Sequence, residues 1–568
     1  MALIKEYFTL TQKYTAEYGE RTVVLLQVGA FFEVYGQIIT PAAADADTGT
    51  VTCSGSRIDD FCFICELAKA NKTPGFVMAG FRDYGLDKYL KKLQDAGYTA
   101  VVYVQDGIKN PPVRSLQGIY SPGTYFSTDV AQGCGGGVGS STLSNNIACI
   151  WVEKISRMVI MGMTNIDIYT GRATIFETEN KDSHNPTTYD EVERFVSSYM
   201  PSEVILISNL STREVEDIIH YTNIQAKVIH RVSTTGGATA GATAGTVKAE
   251  RCTKQIYQME VLNTFYPDGR SKSLEQSFMN YTIATQSLVY LLNFIYEHNP
   301  SLVSKIQEPV FENMSERLVL ANHSLRQLNI IDDGNAGGGG SGGSGVGARL
   351  SSVLSLLNHT VTPMGSRAYK YALLHPVFDE TRLEQDYAIT EYMLLLTGGG
   401  SLSHTVFREK LAFMKDIEKL HRHIILRKIA PFHTFHLFHN LRHIRELYSM
   451  CLRDSTILEH LSERWGIRDD VVGKSTLLLD MFEKTLNIDL CRDITDTQFD
   501  TNIIQRGISA ELDKLTDEYR YTQKSLDEVQ RVLNEMILAG EQKPTGAAVA
   551  ASAGAADYVK IHETDKMG

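Results

Sequence analysis

The sequence predicts a multidomain α/β plus α protein: a mixed α/β N-terminal domain, a second α/β domain, and a long-helix core that ends in a helical arm. Three observations carry this expectation. The chain has 568 residues, too many for one hydrophobic core. As far as about Ile229, strand-like runs alternate with helical ones. From Lys254 onward the apolar residues recur mostly at helical spacing.

The bulk composition narrows the class. Hydrophobic content of 43% and charged content of 21% fit a soluble globular protein, and no apolar stretch is long enough to cross a bilayer. The N-terminal "MALIKEYFTLTQKYTAEYGE" carries acids and lacks a signal-peptide core, so the chain reads as intracellular. A net charge of −12 excludes a protein that coats nucleic acid by charge alone. Local basic patches remain compatible with DNA binding, because counterion release depends on the contact surface. Eight cysteines lie scattered through the chain, as expected of reduced thiols. "CFIC" at Cys62–Cys65 is one pair where zinc needs about four ligands. No second pair follows at finger spacing, so the two thiols read as part-buried and no metal is expected.

The elements follow in order. "TVVLLQV" from Thr22 and "TAVVYVQD" from Thr99 read as strands. "DKYLKKLQDAG" reads as a helix stopped by Gly97. "GCGGGVG" from Gly133 is a glycine cluster. "NIACIWVEKI", "RMVIMGMTNIDIYTG" and "EVILIS" read as strands, with "YDEVERFVSSYM" a helix between them. Low-complexity runs begin at Ser233, Gly334 and Pro544, and read as connections or loop expansions. "SLVYLLNFIYEHN", "LSSVLSLLNHT", "SRAYKYALLHP" and "DIEKLHRHIILRKI" repeat at helical spacing. Leu512, Leu515, Tyr519, Thr522, Leu526, Val529, Leu533 and Met536 alternate steps of three and four, a heptad seam that must lie on a partner helix. Charged residues of both signs fill its outer face.

Two motifs resemble chemistry without supplying it. "GKST" at Gly473–Thr476 lacks the first glycine of a phosphate-binding loop, since Arg468 stands there, and no apolar strand precedes it. His433, His436, His439 and His443 share parts of a helix face, but Phe432, Phe435 and Phe438 interleave and no acid sits in the run. A half-buried helix face is the better reading. No nucleophile elbow, HExxH or paired catalytic acids are present, so no catalytic residue is assigned.

"GAFFEVYG" from Gly29 follows the first strand, where adjacent aromatics and one carboxylate stand at a strand end. Taken alone, such aromatics are core. Their neighbours alter that reading, because the chain resembles the MutS family of DNA mismatch-recognition proteins at several points in order. "GAFFEVYG" is similar to the family's Gly-Asp-Phe-Tyr-Glu-Leu-Phe element. "DAGYTAVVYVQD" with "SPGTYF" is similar to its stretch ending in Ser/Thr-Pro-Gly-Thr. "MGMTNIDIYTGRATIFE" resembles a strand pair of its connector. "LANHSLRQLNII" and "LSSVLSLLNHTVTPMGSRAYKYALLHPVFD" resemble the start of its helical core. "FDTNIIQRGISAELDKL" resembles the entry to its clamp helices. Ala30 replaces the family's aspartate and Phe32 its tyrosine, while the Phe-x-Glu pair is kept as Phe31 and Glu33.

The resemblance implies four parts: residues 1–130 for mismatch recognition, 131–245 as connector, 246–500 as helical core or lever, and 501–568 as clamp helices with the start of the return. It implies that Phe31 stacks on a mispaired base from the minor groove and that a protonated Glu33 donates a hydrogen bond to a base. Lys514, Arg520, Lys524 and Arg531 are the candidate contacts to the DNA backbone. The expected partner is double-stranded DNA with mismatches, in the cytoplasm or another DNA-containing compartment. The family's ATPase domain, with its ATP, Mg and dimerisation, is expected to be absent here, so no cofactor is assigned to this chain. "YVKIHETDKMG" resembles the return from the clamp. The alternative is a degenerate MutS-like scaffold that does not discriminate between DNA duplexes.

Overall fold

A computed structural model describes residues 2–38, 53–105, 113–126, 143–181, 186–234, 244–267, 276–314, 318, 323–331, 352–396, 402–467, 470–497, 499, 501–541 and 559. The glycine cluster at Gly133, almost all of the three low-complexity runs, and the return segment apart from Val559 lie outside these residues. Two compact units form: residues 1–429 with 446–469, and residues 430–445 with 470–568.

The first unit contains two mixed sheets. In the first sheet β1 (Thr22–Val28), β2 (Phe31–Ile38), β3 (Cys53–Ser54), β4 (Ala70–Thr73), β5 (Phe76–Arg82), β6 (Thr99–Gln105) and β7 (Arg114–Tyr120) run in the order β4-β5-β2-β1-β6-β7, with β3 on β2. Val23, Val24, Leu25 and Leu26 form an unbroken apolar run because β1 is buried on both faces. Full burial of each contributes roughly 1.5–3 kcal/mol. Helix α1 (Ala2–Tyr18) brings Ile4, Tyr7 and Tyr14 into this core, and α2 (Ile58–Cys65) brings Phe61, Cys62 and Cys65. Helix α3 (Leu86–Asp95) adds Leu90 and Leu93. It is followed by Gly97 at φ +80°, a left-handed position that favours glycine.

The second sheet comprises β8 (Asn146–Ile155), β9 (Met158–Asp167), β10 (Ala173–Lys181), β11 (Glu203–Ser208), β12 (Val228–Ser233) and β13 (Val310–Phe311), in the order β12-β11-β8-β9-β10-β13. Alternation along β8 builds two cores. Ile147, Cys149 and Trp151 face the helix Thr282–His298, while Ala148, Ile150 and Val152 face α4 (Asp190–Tyr199) and α5 (Thr212–Tyr221). At Gly162 the long helix comes so close that a Cβ would overlap the backbone of Ile283 and lie 2.6 Å from the Ala284 Cα.

Two quoted motifs anchor the surroundings of this sheet. Gly123, of the Ser-Pro-Gly-Thr stretch, donates its N–H to Glu203 at 2.8 Å, and Ser121 Oγ bonds the same carboxylate. Burial alone would raise the Glu203 pKa, but His230, 2.6 Å away, holds it below the ordinary value. In "TPMGSR", Thr362 caps the helix Pro363–Leu374 through Gly365 N–H at 3.0 Å. Arg367 from that helix donates to both Asp416 oxygens, at 2.6 and 2.8 Å, and to Glu418. Among the described residues of "LSSVLSLLNHT", Val353–Leu357 is helical, and Asn358 leaves helical backbone at ψ 90°.

In the second unit, strand-like pairing of Leu486 with Ile504 leads into the helix Ala510–Glu541. Its heptad seam is exposed, from 39% at Leu512 to 67% at Met536, with no partner helix among the described residues. The helix carries eight acids and four bases, so its charge is acidic rather than balanced. No helix among the described residues is long and apolar enough to cross a membrane.

Candidate nucleic-acid interface

"FFEVYG" does not mark the end of a strand. It is the body of β2, and Gly29–Ala30 is a two-residue hairpin loop after β1, with Val28 paired to Phe31. Gly29 sits at φ +61°, where glycine is favoured. Side chains clamp the tip: Gln105 accepts from Gly29 N–H at 3.1 Å, and Arg114 donates to the Gln27 carbonyl at 2.9 Å. Asp83 N–H donates to the Ala30 carbonyl at 3.0 Å.

Strand alternation then sorts the side chains. Phe32 and Val34 turn into the core, where the Phe32 ring lies 5.9 Å from that of Phe81. Phe31, Glu33 and Tyr35 share the other face. Phe31 is 43% exposed, and its cross-strand partner Arg82 lies 5.9 Å from the ring centroid. Tyr84, just beyond, is exposed as well.

Glu33 is only 5% exposed. Lys72 from β4 donates to both of its oxygens at 2.9 Å, and the Tyr35 hydroxyl donates too. Burial, and then the Glu33 carboxylate, push the Tyr35 pKa up, so that hydroxyl stays a donor. Gly80 stands opposite Glu33, and a Cβ there would lie 2.5 Å from the Phe32 carbonyl oxygen. The face therefore presents an aromatic ring beside the Arg82 cation, with Lys72 paired to the buried Glu33 carboxylate on the same face. Such a face can stack on a base and pair with phosphates. Sequence reasoning missed Lys72, Gly80, Arg82 and Tyr84, which join the site only through the register of β2, β4 and β5.

The four candidate cations of the arm lie on the helix Ala510–Glu541. At roughly 100° per residue, Arg520, Lys524 and Arg531 fall within about 40° of one another, opposite the seam, and Lys514 falls off that stripe. Arg531 is flanked by Glu528 and by Glu535 at 2.6 Å, and Lys514 by Glu518 at 3.8 Å.

The remaining sequence candidates have structural roles. "GKST" lies within the helix Val471–Thr485, where the Asp470 carboxylate accepts from Gly473 N–H at 2.7 Å. A phosphate would need that position, so these residues do not fit ATP. The histidines lie on the helix Pro431–Cys451, with the His436 ring 4.3 Å from Phe432 and that of His439 4.3 Å from Phe435. Among the described residues no cluster of potential ligands could hold a metal ion.

Residues 323–542 match the family MutS domain III. A mutS homolog of Acanthamoeba polyphaga mimivirus is 24% identical over 558 residues, covering 91% of this chain and 45% of that protein. The DNA mismatch repair protein MutS of Thermotoga neapolitana is 22% identical, with 93% of this chain and 53% of that protein covered. The MutS of Caldanaerobacter subterraneus is 21% identical over 90% of this chain and 50% of its own length. The chain spans about half the length of the curated relatives it matches. Together, the domain match and the alignments over nine-tenths of the chain support assignment to the MutS family.

Proposed function

We propose that this chain recognises mismatched or unpaired bases in duplex DNA, as the first step of mismatch repair. The observation that carries the reading is the Phe31 ring: it projects from a strand whose other face is core, beside Arg82 and on the same face as Glu33. In this reading residues 1–130 contact the lesion, 131–245 connect, 246–500 form the lever and 501–568 the clamp. In this reading ATP, Mg and dimerisation belong to the ATPase part of a MutS protein, and the role proposed for these residues is DNA binding.

A mispaired step has lost pairing energy, so inserting a ring beside it costs less than at a Watson–Crick step. Stacking returns roughly 1–3 kcal/mol per base. Glu33 contributes discrimination: it can bond a displaced base only by exchanging one of its present donors, and on an intact duplex that exchange goes unrewarded. Arg82 and Lys72 contact phosphates, as do Arg520, Lys524 and Arg531 on the arm, and these contacts set position rather than sequence.

Gel shifts with heteroduplex and homoduplex across a salt series test this. The wild-type chain should prefer the heteroduplex and lose affinity as salt rises. Phe31→Ala should bind both duplexes alike, and Glu33→Ala should lose more discrimination than affinity. A Phe31→Ala chain that still prefers the heteroduplex would defeat the assignment.

A further inference from the structure

A cavity of about 400 Å³ lies between the second sheet, α4 and the helix Pro363–Leu374, away from the Phe31 face. Its volume is in the range of small-ligand sites. Most charges in its wall are already engaged. Arg367 is held by Asp416 and Glu418, and Arg172 by Glu418. Asp167 accepts from the N–H groups of Asn145 and Tyr169 at 3.1 Å and from Thr170 Oγ1 at 2.8 Å. His375 faces Glu312 at 3.5 Å.

Three groups stand apart. Lys370 has no hydrogen-bond or ion-pair partner among the described residues. Burial pushes its amine down to about 8, the signature of a cation lacking a counter-charge. Asn165 donates its amide to Asn146 at 3.0 Å, but its buried carbonyl oxygen bonds nothing, and neither does the buried Ser198 hydroxyl. Buried polar atoms are almost always satisfied, so two orphans and an unpaired amine around one cavity call for a common partner. The partner must be anionic for Lys370 and carry a donor for Asn165. Tyr199, Tyr371 and Leu374 offer it a flat, largely apolar wall.

We infer that this cavity is a binding site for a small organic anion bearing hydroxyl or amino donors, with its phosphate or carboxylate on Lys370 and a donor on Asn165. The site is separate from DNA recognition, and its test does not depend on that reading.

Calorimetric titration of the full chain with adenosine 5′-monophosphate, gluconate and uncharged adenosine tests the inference. At least one of the two anions should saturate, and whichever does identifies the acid class. Adenosine should bind more weakly than its phosphate. Lys370→Met should weaken the anion roughly tenfold or more, and Ser198→Ala should weaken it less. Without ligand, Lys370→Met should melt no lower than the wild type, because it removes a half-buried charge that has no partner among the described residues. The inference is overturned if neither anion binds up to about 10 mM, if Lys370→Met binds as tightly as the wild type, or if the unliganded variant melts several degrees lower.

Discussion

Replacing Lys72 by Met should loosen the sheet around Glu33 without unfolding it. The change keeps most of the aliphatic stem and deletes a cation that lies 2.9 Å from both carboxylate oxygens. Two limits bracket the cost. An exposed ion pair contributes about 0–1 kcal/mol, and breaking a fully buried pair costs about 3–5 kcal/mol. Here the Glu33 side chain is 6% exposed and that of Lys72 38%, so one partner is dry and the other wet. Water can enter from the Lys72 side, and the Tyr35 hydroxyl still donates to the carboxylate. The cost should therefore be about 1–3 kcal/mol, with a coupling to Glu33→Gln of about 1–2 kcal/mol in a double-mutant cycle. Hydrogen exchange of the β2 and β5 amides reads this local term in a chain too large for two-state melting. A coupling below about 0.3 kcal/mol, within the usual additivity error, would show that the pair holds nothing together and that Glu33 is free to move.

Gly162→Ala should destabilise the second sheet by about 3 kcal/mol, the upper end for overpacking, because its Cβ meets the backbone of the helix Thr282–His298. Trp151, the cross-strand partner of Gly162, reports the loss by fluorescence in a urea titration. The Glu312 pKa is depressed to about 2: burial would raise it, but His375 and Arg194 hold it down. That depressed value gives stability of order 3 kcal/mol that is complete above the unfolded value near 4.5 and lost as pH falls toward 2. An acid titration should show this slope, and Glu312→Gln should flatten it.

Much of the fold was legible in the sequence because burial on both faces leaves unbroken apolar runs. "TVVLLQV", "TAVVYVQD" and "EVILIS" are all strands in the structure, and the helix from Leu86 ends just before Gly97. The hairpin was not read, because Gly29–Ala30 lacks the usual Asn-Gly signal and the two phenylalanines suggested a strand end. Phe31 and Glu33 could be named from their motif. Lys72, Gly80 and Arg82 could not, since they lie 39 to 51 residues away from that pair and meet it only across the sheet. The arm shows the converse. Its seam was plain from the spacing of Leu512 through Met536, yet local periodicity names no partner for it.

Because the Phe31 ring is carried by a tight hairpin with both flanks bonded, its backbone has little freedom left to surrender when it meets another molecule. A probe fixed in this way cannot chase its target. Any adjustment must come from the body pressed against it, so the ring works as a gauge of how easily that body yields.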